Sequence, residues 1–511
     1  MKTKPMDEGA LKYPELIFGV IGAVGTDTEK VLSELKSALM QVKYDTLQIH
    51  LIDNLKQFKK WAKIKEGPFD INSNRLMDFG NAFRKLLKRS DALAMLGAAA
   101  VVHKRKESTG GGRIPKARTA YAFRSLKRPE EVQTLRRIYG GNFFALAAYS
   151  SKSKRIERLA NKIAHSRACQ VTPGVMEAAR ALVDRDEAEL SEKFGQNIQD
   201  AFPISDFFVD ADSAKLTDQI KRIIELIFGN TFHTPTRDEY GMFHAWSASL
   251  RSAALARQVG AAICTVEGEI LTTGCNEVPK AHGGLYWPGD EPDERDHQRG
   301  EDSNDVMKRE ILADLLGRLK QGNWLNKKIA FLNPKELLEL ALSDKSPTGL
   351  KKASLMGITE YGRMVHAEMA ALMQAARLGV SVKGAVLYAT TFPCHNCTKH
   401  IVAAGIERLA YIEPYPKSRA TDLHGDSISV EDLQTGKRVA FQSFIGVSPR
   451  QYFRLFSLGD SSRKEGTNVK KWIPQESAPR YAESPFAYLQ REVEELDVFD
   501  LLLKSHHIVA E

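Results

Sequence analysis

The chain has 511 residues, of which 43% are hydrophobic and 27% are charged. At about 150 residues per domain, this length predicts about three domains, and the ordinary composition excludes a fibrous, peptide-sized or largely disordered protein. The formal net charge of +9 arises in the N-terminal part, because residues 1–235 hold 39 Lys and Arg against 28 Asp and Glu.

The N-terminal residues predict an α/β domain with a mainly parallel sheet. An apolar strand at 16–21 is followed by Gly22 and Gly25, and then by an amphipathic helix. The apolar face of that helix consists of Val31, Leu32, Leu35 and Leu39. Further apolar runs, which alternate with charged helical stretches and are interpreted as strands, lie at 92–95, 120–123, 143–149 and 207–209. Strands separated by helices are typical of this fold class.

The turn after the first strand has the position of a phosphate-binding loop, so Gly22, Gly25 and Thr26 are candidates for nucleotide binding. A working loop needs Gly-Lys-Ser/Thr, whereas Thr26-Asp27 follows Gly25, and an aspartate at that helix N-terminus repels phosphate. We therefore predict binding or regulation rather than phosphoryl transfer. The alternative is that the glycines only permit a tight turn.

A basic stretch follows in the same domain. Residues 101–137 carry eleven basic and three acidic side chains. Such a stretch attracts phosphate on a nucleotide or on RNA, and a solvated basic face explains it equally well.

The second half begins after a polar segment near 229–240, where we place a domain boundary at 235/236. A helix is predicted at 242–259 and a hairpin at 261–266 and 269–273. Alternating helices and strands are then predicted at 366–378, 385–390, 397–404 and 408–413. Residues 287–310 contain nine acidic side chains and belong to an insertion of about 281–360. Residues 457–511 are interpreted as a C-terminal tail with a helix near 488–503.

Two motifs indicate a metal site. His366-Ala367-Glu368 is followed, after 24 residues, by Pro393-Cys394-His395-Asn396-Cys397. One imidazole and two thiolates are three ligands for a tetrahedral zinc ion, which leaves a position for a water whose pKa falls to about 7. Glu368 lies beside these ligands and is the predicted proton carrier. The alternative is a structural zinc ion closed by His395 or His400.

These motifs resemble the H-x-E and P-C-x-x-C signature of zinc nucleobase deaminases. The run Pro393 to Ile401, together with 257–261 and 274–279, resembles deoxycytidylate deaminases in particular. The resemblance implies a zinc cytidine-deaminase-like, three-layer α/β/α domain at 236–456. It also implies that Asn276 contacts the deoxyribose, although an ordinary turn residue before Pro279 remains the alternative.

The chain as a whole resembles bacterial antiphage deoxycytidine nucleotide deaminases. Residues 125–131 and 135–140 resemble their P-loop-kinase-like domain, and 286–290 resemble their insertion. The resemblance implies a degenerate, regulatory kinase-like domain at 1–235, and hydrolysis of dCMP or dCTP to deoxyuridine nucleotides and ammonia. It further implies dCTP depletion during phage infection, a homo-oligomer, and a small regulatory RNA as a partner of the N-terminal domain.

The remaining candidate residues concern the substrate. Asn276, Ala367, Lys417 and Arg419 are the predicted substrate-binding residues, the last two for phosphate, although 415–419 also fits a solvated loop. Four carboxylates of the insertion are candidates for Mg²⁺ on a triphosphate substrate, or for a solvated surface: Asp290, Asp296, Asp302 and Asp305.

Two other functions remain open: a cytidine deaminase acting on RNA or single-stranded DNA, and a non-catalytic nucleotide-sensing regulator. The odd number of cysteines, five, argues against a disulfide framework. No stretch of 18 residues lacks a charged side chain, so we expect a cytoplasmic protein without a membrane partner.

Overall fold

The structure is a computed structural model that describes residues 11–58, 61, 67–110, 114–187, 189, 192–343, 349–358, 360–414, 418–430, 437–459 and 461–508. It divides into two compact units, Met1–Glu239 with Ser443–Glu511, and Tyr240–Gln442. The structure corrects the predicted C-terminal boundary, because 443–456 and the predicted tail 457–511 both belong to the first unit.

The first unit contains a sheet whose five long strands are parallel. The strands are β1 (Leu16–Gly22), β2 (Asp45–His50), β3 (Thr119–Leu126), β4 (Phe143–Tyr149) and β5 (Phe207–Asp210). Their order is β2-β3-β1-β4-β5, and a short strand Gly446–Val447 pairs antiparallel with β5. The main helices are α1 (Thr28–Gln41), α2 (Phe69–Leu87), α3 (Ala92–Thr109), α4 (Pro129–Tyr139), α5 (Lys152–Ser166), α6 (Pro173–Glu187), α7 (Leu216–Ile227) and the C-terminal helix Pro485–Ser505.

Helices cover both faces of this sheet. The side chains of β1 alternate between two cores, with Phe18 and Val20 packing with α1 and α7, and Ile17 and Ile21 packing with α3 and α4. A strand buried on both faces is apolar at every position, which is why the run 16–21 is recognisable in the sequence.

The prediction of a strand at 92–95 is wrong, because these residues begin helix α3. The apolar residues continue through Ala98 and Val101, and residues 92–98 are buried on every side, so no amphipathic period marks this part of the chain as a helix.

The basic stretch is not a continuous solvated face. Arg105 is fully buried and lies between two carboxylates. Its Nη2 is 2.9 Å from Glu15 Oε2, and its Nη1 is 2.6 Å from Oε2 of Glu492 in the C-terminal helix. Further cations of the stretch are paired with Asp186, Glu130, Asp206 and Glu495. Part of the N-terminal positive charge therefore serves packing, and an RNA partner stays a prediction.

Glu492→Ala is expected to lower the free energy of unfolding by about 3 kcal/mol, because it leaves part of the buried charge of Arg105 uncompensated. The Tyr139 hydroxyl, which donates to Glu492 at 2.7 Å, loses its acceptor as well. Urea denaturation of the full chain measures the change, with the exposed Glu494→Ala on the same helix as control. A loss below about 1 kcal/mol would contradict the importance of this contact.

The second unit contains a mixed sheet. Its strands are β6 (Gly260–Cys264), β7 (Ile270–Cys275), β8 (Val386–Thr391), β9 (Arg408–Glu413), β10 (Ile428–Val430) and β11 (Val439–Ser443), in the order β10-β11-β9-β8-β6-β7. The predicted hairpin is confirmed by the antiparallel pair β6 and β7, while β8 and β9 are parallel. The long helices of this unit are α8 (Arg237–Ser249), α9 (Ser303–Gln321), α10 (Pro334–Leu342), α11 (Ala367–Leu378) and α12 (His395–Ala403).

Helices lie on both faces of β8. Gly241 of α8 packs so closely on Tyr388 that a Cβ would lie 2.3 Å from the ring, whereas Leu387 and Ala389 join the core beneath α11. Helix α8 was predicted to continue to 259 but ends at Ser249. The insertion between β7 and α11 is helical and has a small core of its own around Leu312, Leu316 and Leu337. No helix among the described residues is long and apolar enough to cross a membrane.

Candidate active site

The motif His366-Ala367-Glu368 lies at the start of α11, which packs directly on β7. A Cβ at Gly274 of β7 would lie 2.4 Å from the Ala367 carbonyl oxygen, so the helix can approach only because this residue is glycine. His366 is the N-cap residue, and Glu368 in the first turn is 4% exposed. Ala367 is fully buried.

The second motif lies between β8 and α12. Cys394 is the N-cap of α12, and its Sγ accepts a hydrogen bond from the Cys397 backbone N–H at 3.4 Å. Both sulfurs therefore lie at a helix N-terminus, where the helix dipole favours thiolates.

The three predicted metal ligands lie together. His366 Nδ1 is 3.3 Å from Cys394 Sγ and 3.4 Å from Cys397 Sγ, and the three ligand atoms all lie within 4.8 Å of one another. One imidazole nitrogen and two thiolates fit zinc, and three protein ligands are the number found in catalytic sites. Neither His395 nor His400 belongs to this cluster, so a structural site gains no fourth ligand from them.

Glu368 lies beside the cluster, with Oε2 3.5 Å from Cys397 Sγ. Burial raises the pKa of the Glu368 carboxyl, and the charge of Cys394 raises it further. The hydrogen bond with Cys397 lowers the pKa of Cys394 to about 4, with His366 adding to the shift, so one thiolate is already favoured by the protein itself.

A cavity of about 230 Å³ opens onto His366, Glu368 and Cys394. The lining is completed by Ala256, Arg257, Val259, Asn276, Asp302, Asn304, Gly362, Met364, Ala367, Thr391 and Phe392. Apolar walls beside a few polar side chains and a buried carboxylate are typical of a small-molecule site.

The lining residues that were not predicted to bind substrate include Arg257, Asp302 and Asn304. Arg257 is the one Lys or Arg among the described lining residues. It forms an ion pair with Glu413 at the end of β9, in which its Nη1 lies 2.6 Å from Glu413 Oε1. Asp302 and Asn304 come from the insertion, at the start of α9. Only the fold brings Asp302 and Asn304 to the cavity, and no local motif marks them. Arg257 begins the run 257–261 that resembles deoxycytidylate deaminases, but that resemblance gave it no role.

Asn276 lines the cavity, but its amide also supports the backbone. Nδ2 donates to the Arg257 carbonyl at 2.8 Å, and Oδ1 accepts from the Val259 N–H at 2.7 Å. The side chain therefore fixes the irregular segment that leads into β6 and carries Arg257. Its predicted contact with the deoxyribose stays a prediction.

Of the two predicted phosphate-binding residues after β9, Arg419 does not line the described cavity. Lys417 lies outside the described residues. Arg419 is exposed and forms an ion pair with Asp422, in which its Nη1 lies 2.9 Å from Asp422 Oδ2. The adjacent Ser418 hydroxyl donates to the Pro393 carbonyl at 2.8 Å, which keeps this loop next to the cysteine motif.

The four acidic candidates of the insertion each have another partner. Asp290 pairs with Lys280, Asp296 with Arg363 and Asp305 with Lys308, while Asp302 caps helix α9. No acidic metal cluster is found among the residues that the structure describes. Mg²⁺ bound with a triphosphate substrate stays a prediction.

Comparison with known proteins identifies the region that carries both motifs. Residues 235–413 match the family model of the cytidine and deoxycytidylate deaminase zinc-binding region. The match agrees with the His/Cys/Cys cluster, and together they support Zn²⁺ as the metal. The predicted C-terminal deaminase domain is thereby supported, while the kinase-like assignment of 1–235 stays a prediction.

Curated relatives match over short segments. The deoxycytidylate deaminase of Enterobacteria phage T2 is 46% identical over 55 residues, 11% of this chain and 29% of that protein. The human deoxycytidylate deaminase is 32% identical over 94 residues, 18% of this chain and 44% of that protein. The chain thus spans less than a third of the phage relative and less than half of the human one.

One solved structure matches a larger share of this chain than these curated relatives do. The dCMP deaminase of the cyanophage S-TIM5, in complex with dCMP and dUMP, is 18% identical. The match covers 41% of this chain and 98% of the cyanophage protein's chain, with a TM-score of 0.23.

Proposed function

We propose that the chain is a zinc-dependent hydrolase that deaminates deoxycytidine nucleotides, dCMP or dCTP, to deoxyuridine nucleotides and ammonia. The observation that carries this proposal is the cluster of His366, Cys394 and Cys397 beside the buried Glu368. His366, Cys394 and Glu368 line one cavity. The family match over 235–413 and the relatives described as deoxycytidylate deaminases support the substrate class.

The roles of the chain's own residues follow from this geometry. His366, Cys394 and Cys397 would hold the zinc ion, which supplies the Lewis acidity that makes a water nucleophilic near neutral pH. Glu368 accepts a proton from the water that attacks C4 of the base. It passes this proton to ring nitrogen N3, then takes a second proton from the hydroxyl now on C4 and gives it to the leaving amine, so the C4–N bond breaks and ammonia departs.

A raised pKa suits Glu368 to this role, because it must both accept and donate a proton near neutral pH. Phe392 and Met364 give the cavity apolar walls for the base. Phe392 is itself held by the ring of Tyr411, at a centroid distance of 4.9 Å.

Arg257 is the proposed contact for the substrate phosphate. Arg257 lines the cavity, and its side chain, which is 40% exposed, is paired with that of Glu413, which is 37% exposed. Arginine pairs bidentately with phosphate as it does with carboxylate, and an ion pair this exposed contributes little stability, so a substrate phosphate can replace Glu413.

Arg257→Gln is expected to raise the KM for dCMP about 10- to 100-fold, while the use of deoxycytidine stays unchanged. A hydrogen bond to a charged group contributes about 1.5–3 kcal/mol, which corresponds to this range. Steady-state kinetics with both substrates measure the effect, and Arg299→Gln, at an exposed ion pair, is the control. An equal loss with both substrates would contradict a phosphate contact. The double variant Lys417→Ala and Arg419→Ala tests the loop predicted to contribute phosphate contacts.

A substrate panel separates the proposed enzyme from a polynucleotide deaminase. A channel for a polynucleotide needs several cations and stacking aromatic side chains. The described cavity has one cation, Arg257, and one aromatic residue, Phe392. We therefore expect turnover of dCMP or dCTP and none of cytosine-containing oligonucleotides. Turnover of oligonucleotide alone would overturn the proposal.

We further propose that the N-terminal unit regulates this activity. The parallel sheet and its first strand, loop and helix unit are compatible with the predicted kinase-like fold, and the lack of Lys after Gly25 argues against phosphoryl transfer. ATP-dependent phosphorylation of a nucleotide by the full chain would contradict this. Depletion of dCTP as antiphage defence follows from the resemblance and depends on the proposed activity.

A further inference from the structure

The loop between β1 and α1 is closed by a buried carboxylate. The Val24 backbone N–H donates to Asp186 Oδ2 at 2.6 Å, and Lys127 Nζ donates to the same oxygen at 2.9 Å. Lys127 also donates to the Gly22 carbonyl at 2.9 Å. Asp186 lies near the end of α6 and is fully buried. A loop N–H group and an ammonium group thus converge on one negatively charged oxygen.

Backbone N–H groups and a lysine are the groups with which phosphate loops hold phosphate. Here the lysine comes from the end of the neighbouring strand β3 rather than from the loop. A search of the sequence for Gly-Lys therefore misses it. We infer that the loop and Lys127 form an anion site that is already occupied by the carboxylate of Asp186.

The rest of the loop is already ordered. Gly25 has φ +87°, and a Cβ there would lie 2.7 Å from the Arg155 carbonyl oxygen, so this position requires glycine. The Gly25 carbonyl accepts from Arg158 at 2.6 Å, and the Thr26 N–H donates to the Ala23 carbonyl at 3.0 Å. Asp27 caps α1 by accepting from the Lys30 N–H at 3.1 Å, so its carboxylate is directed at the helix.

Two buried oxygens at this loop have no hydrogen-bond partner among the described residues, Asp186 Oδ1 and Thr26 Oγ1. A site that had evolved only for packing would gain stability from satisfying them, because an unsatisfied buried polar atom costs about 1–3 kcal/mol. The Thr26 hydroxyl can donate to an anion bound at the loop, whereas Asp186 Oδ1 can only accept and would leave together with its side chain.

The carboxylate and a ligand phosphate exclude each other. Because Asp186 belongs to the same chain, its effective concentration at the loop is far above that of a free ligand, and free phosphate competes poorly. A phosphate-bearing ligand enters only when the end of α6 moves away. Such a ligand would favour a different arrangement of α6, which is how binding at Gly22, Gly25 and Thr26 would be transmitted.

The test is calorimetric titration of the full chain with pyrophosphate. Wild-type protein is expected to bind weakly, and Asp186→Ala to bind at least about tenfold more tightly, because the competitor is removed. This gain in affinity for pyrophosphate should disappear when Asp186→Ala is combined with Lys127→Met. Asp184→Asn is the control, since Asp184 lies on the same helix in an exposed pair with Lys152.

Two results would overturn the inference: a folded Asp186→Ala protein that gains no affinity, or wild-type protein that binds pyrophosphate as tightly as this variant. If Asp186→Ala does not fold, Asp186→Asn replaces it, because the amide keeps the shape and an acceptor for Val24 while removing the charge that pairs with Lys127. Asp186→Asn is then expected to bind pyrophosphate more tightly than wild-type protein, and to lose this gain when Lys127 is also replaced. If it does not, the inference is overturned. Neither result depends on the proposed deaminase activity.

Discussion

Glu368→Gln is expected to reduce the turnover of dCMP about a thousandfold while the protein keeps its zinc. The amide fills the same buried space at the start of α11 but cannot carry a proton between water, N3 and the leaving amine. Zinc should remain because Glu368 is not one of the three clustered ligands.

Two measurements on the same preparation check this expectation: ammonia release, and zinc content by atomic emission. Glu407→Gln is the matched control, because Glu407 is an exposed glutamate of the same unit. Loss of zinc from Glu368→Gln would show that this residue is a ligand, and unchanged turnover would show that it carries no proton.

Cys394→Ser and Cys397→Ser should each lose both zinc and activity. A hydroxyl is a much poorer ligand than a thiolate, and two remaining ligands do not hold the ion tightly. Zinc content is expected to fall from about one ion per chain to a small fraction of that, and turnover should fall in parallel. His366→Ala is expected to behave in the same way.

Cys169→Ser is the control for this series, since Cys169 is an exposed cysteine of the first unit. Thermal unfolding of each variant, with and without added zinc, separates loss of the metal from loss of the fold. A Cys394 or Cys397 variant that retains stoichiometric zinc would contradict the assignment of the ligands.

The metal site was predictable from the sequence because its chemistry is local. His366 and Glu368 share the first turn of one helix, and Cys394 and Cys397 share the first turn of another, so short motifs contain the whole cluster. The strands β1, β4 and β9 were predictable for a similar reason, since buried strands are recognisable as apolar runs.

The features that depend on distant contacts were not predictable. Arg257, Asp302 and Asn304 reach the cavity from a loop and from the insertion, which only the fold brings to His366. Likewise, residues 443–511 join the first unit through a buried ion pair and an added strand, so cutting the chain near 236 would leave this segment without its partners. Regulation by the N-terminal unit is therefore better tested by point variants of the full chain.

The central proposal is most directly tested by incubating the full-length, zinc-loaded protein with dCMP and following dUMP and ammonia together. We predict that both products form in equal amounts, that a chelator abolishes the reaction, and that added zinc restores it. Zinc-loaded, folded protein that releases no ammonia from dCMP or dCTP would contradict the proposal.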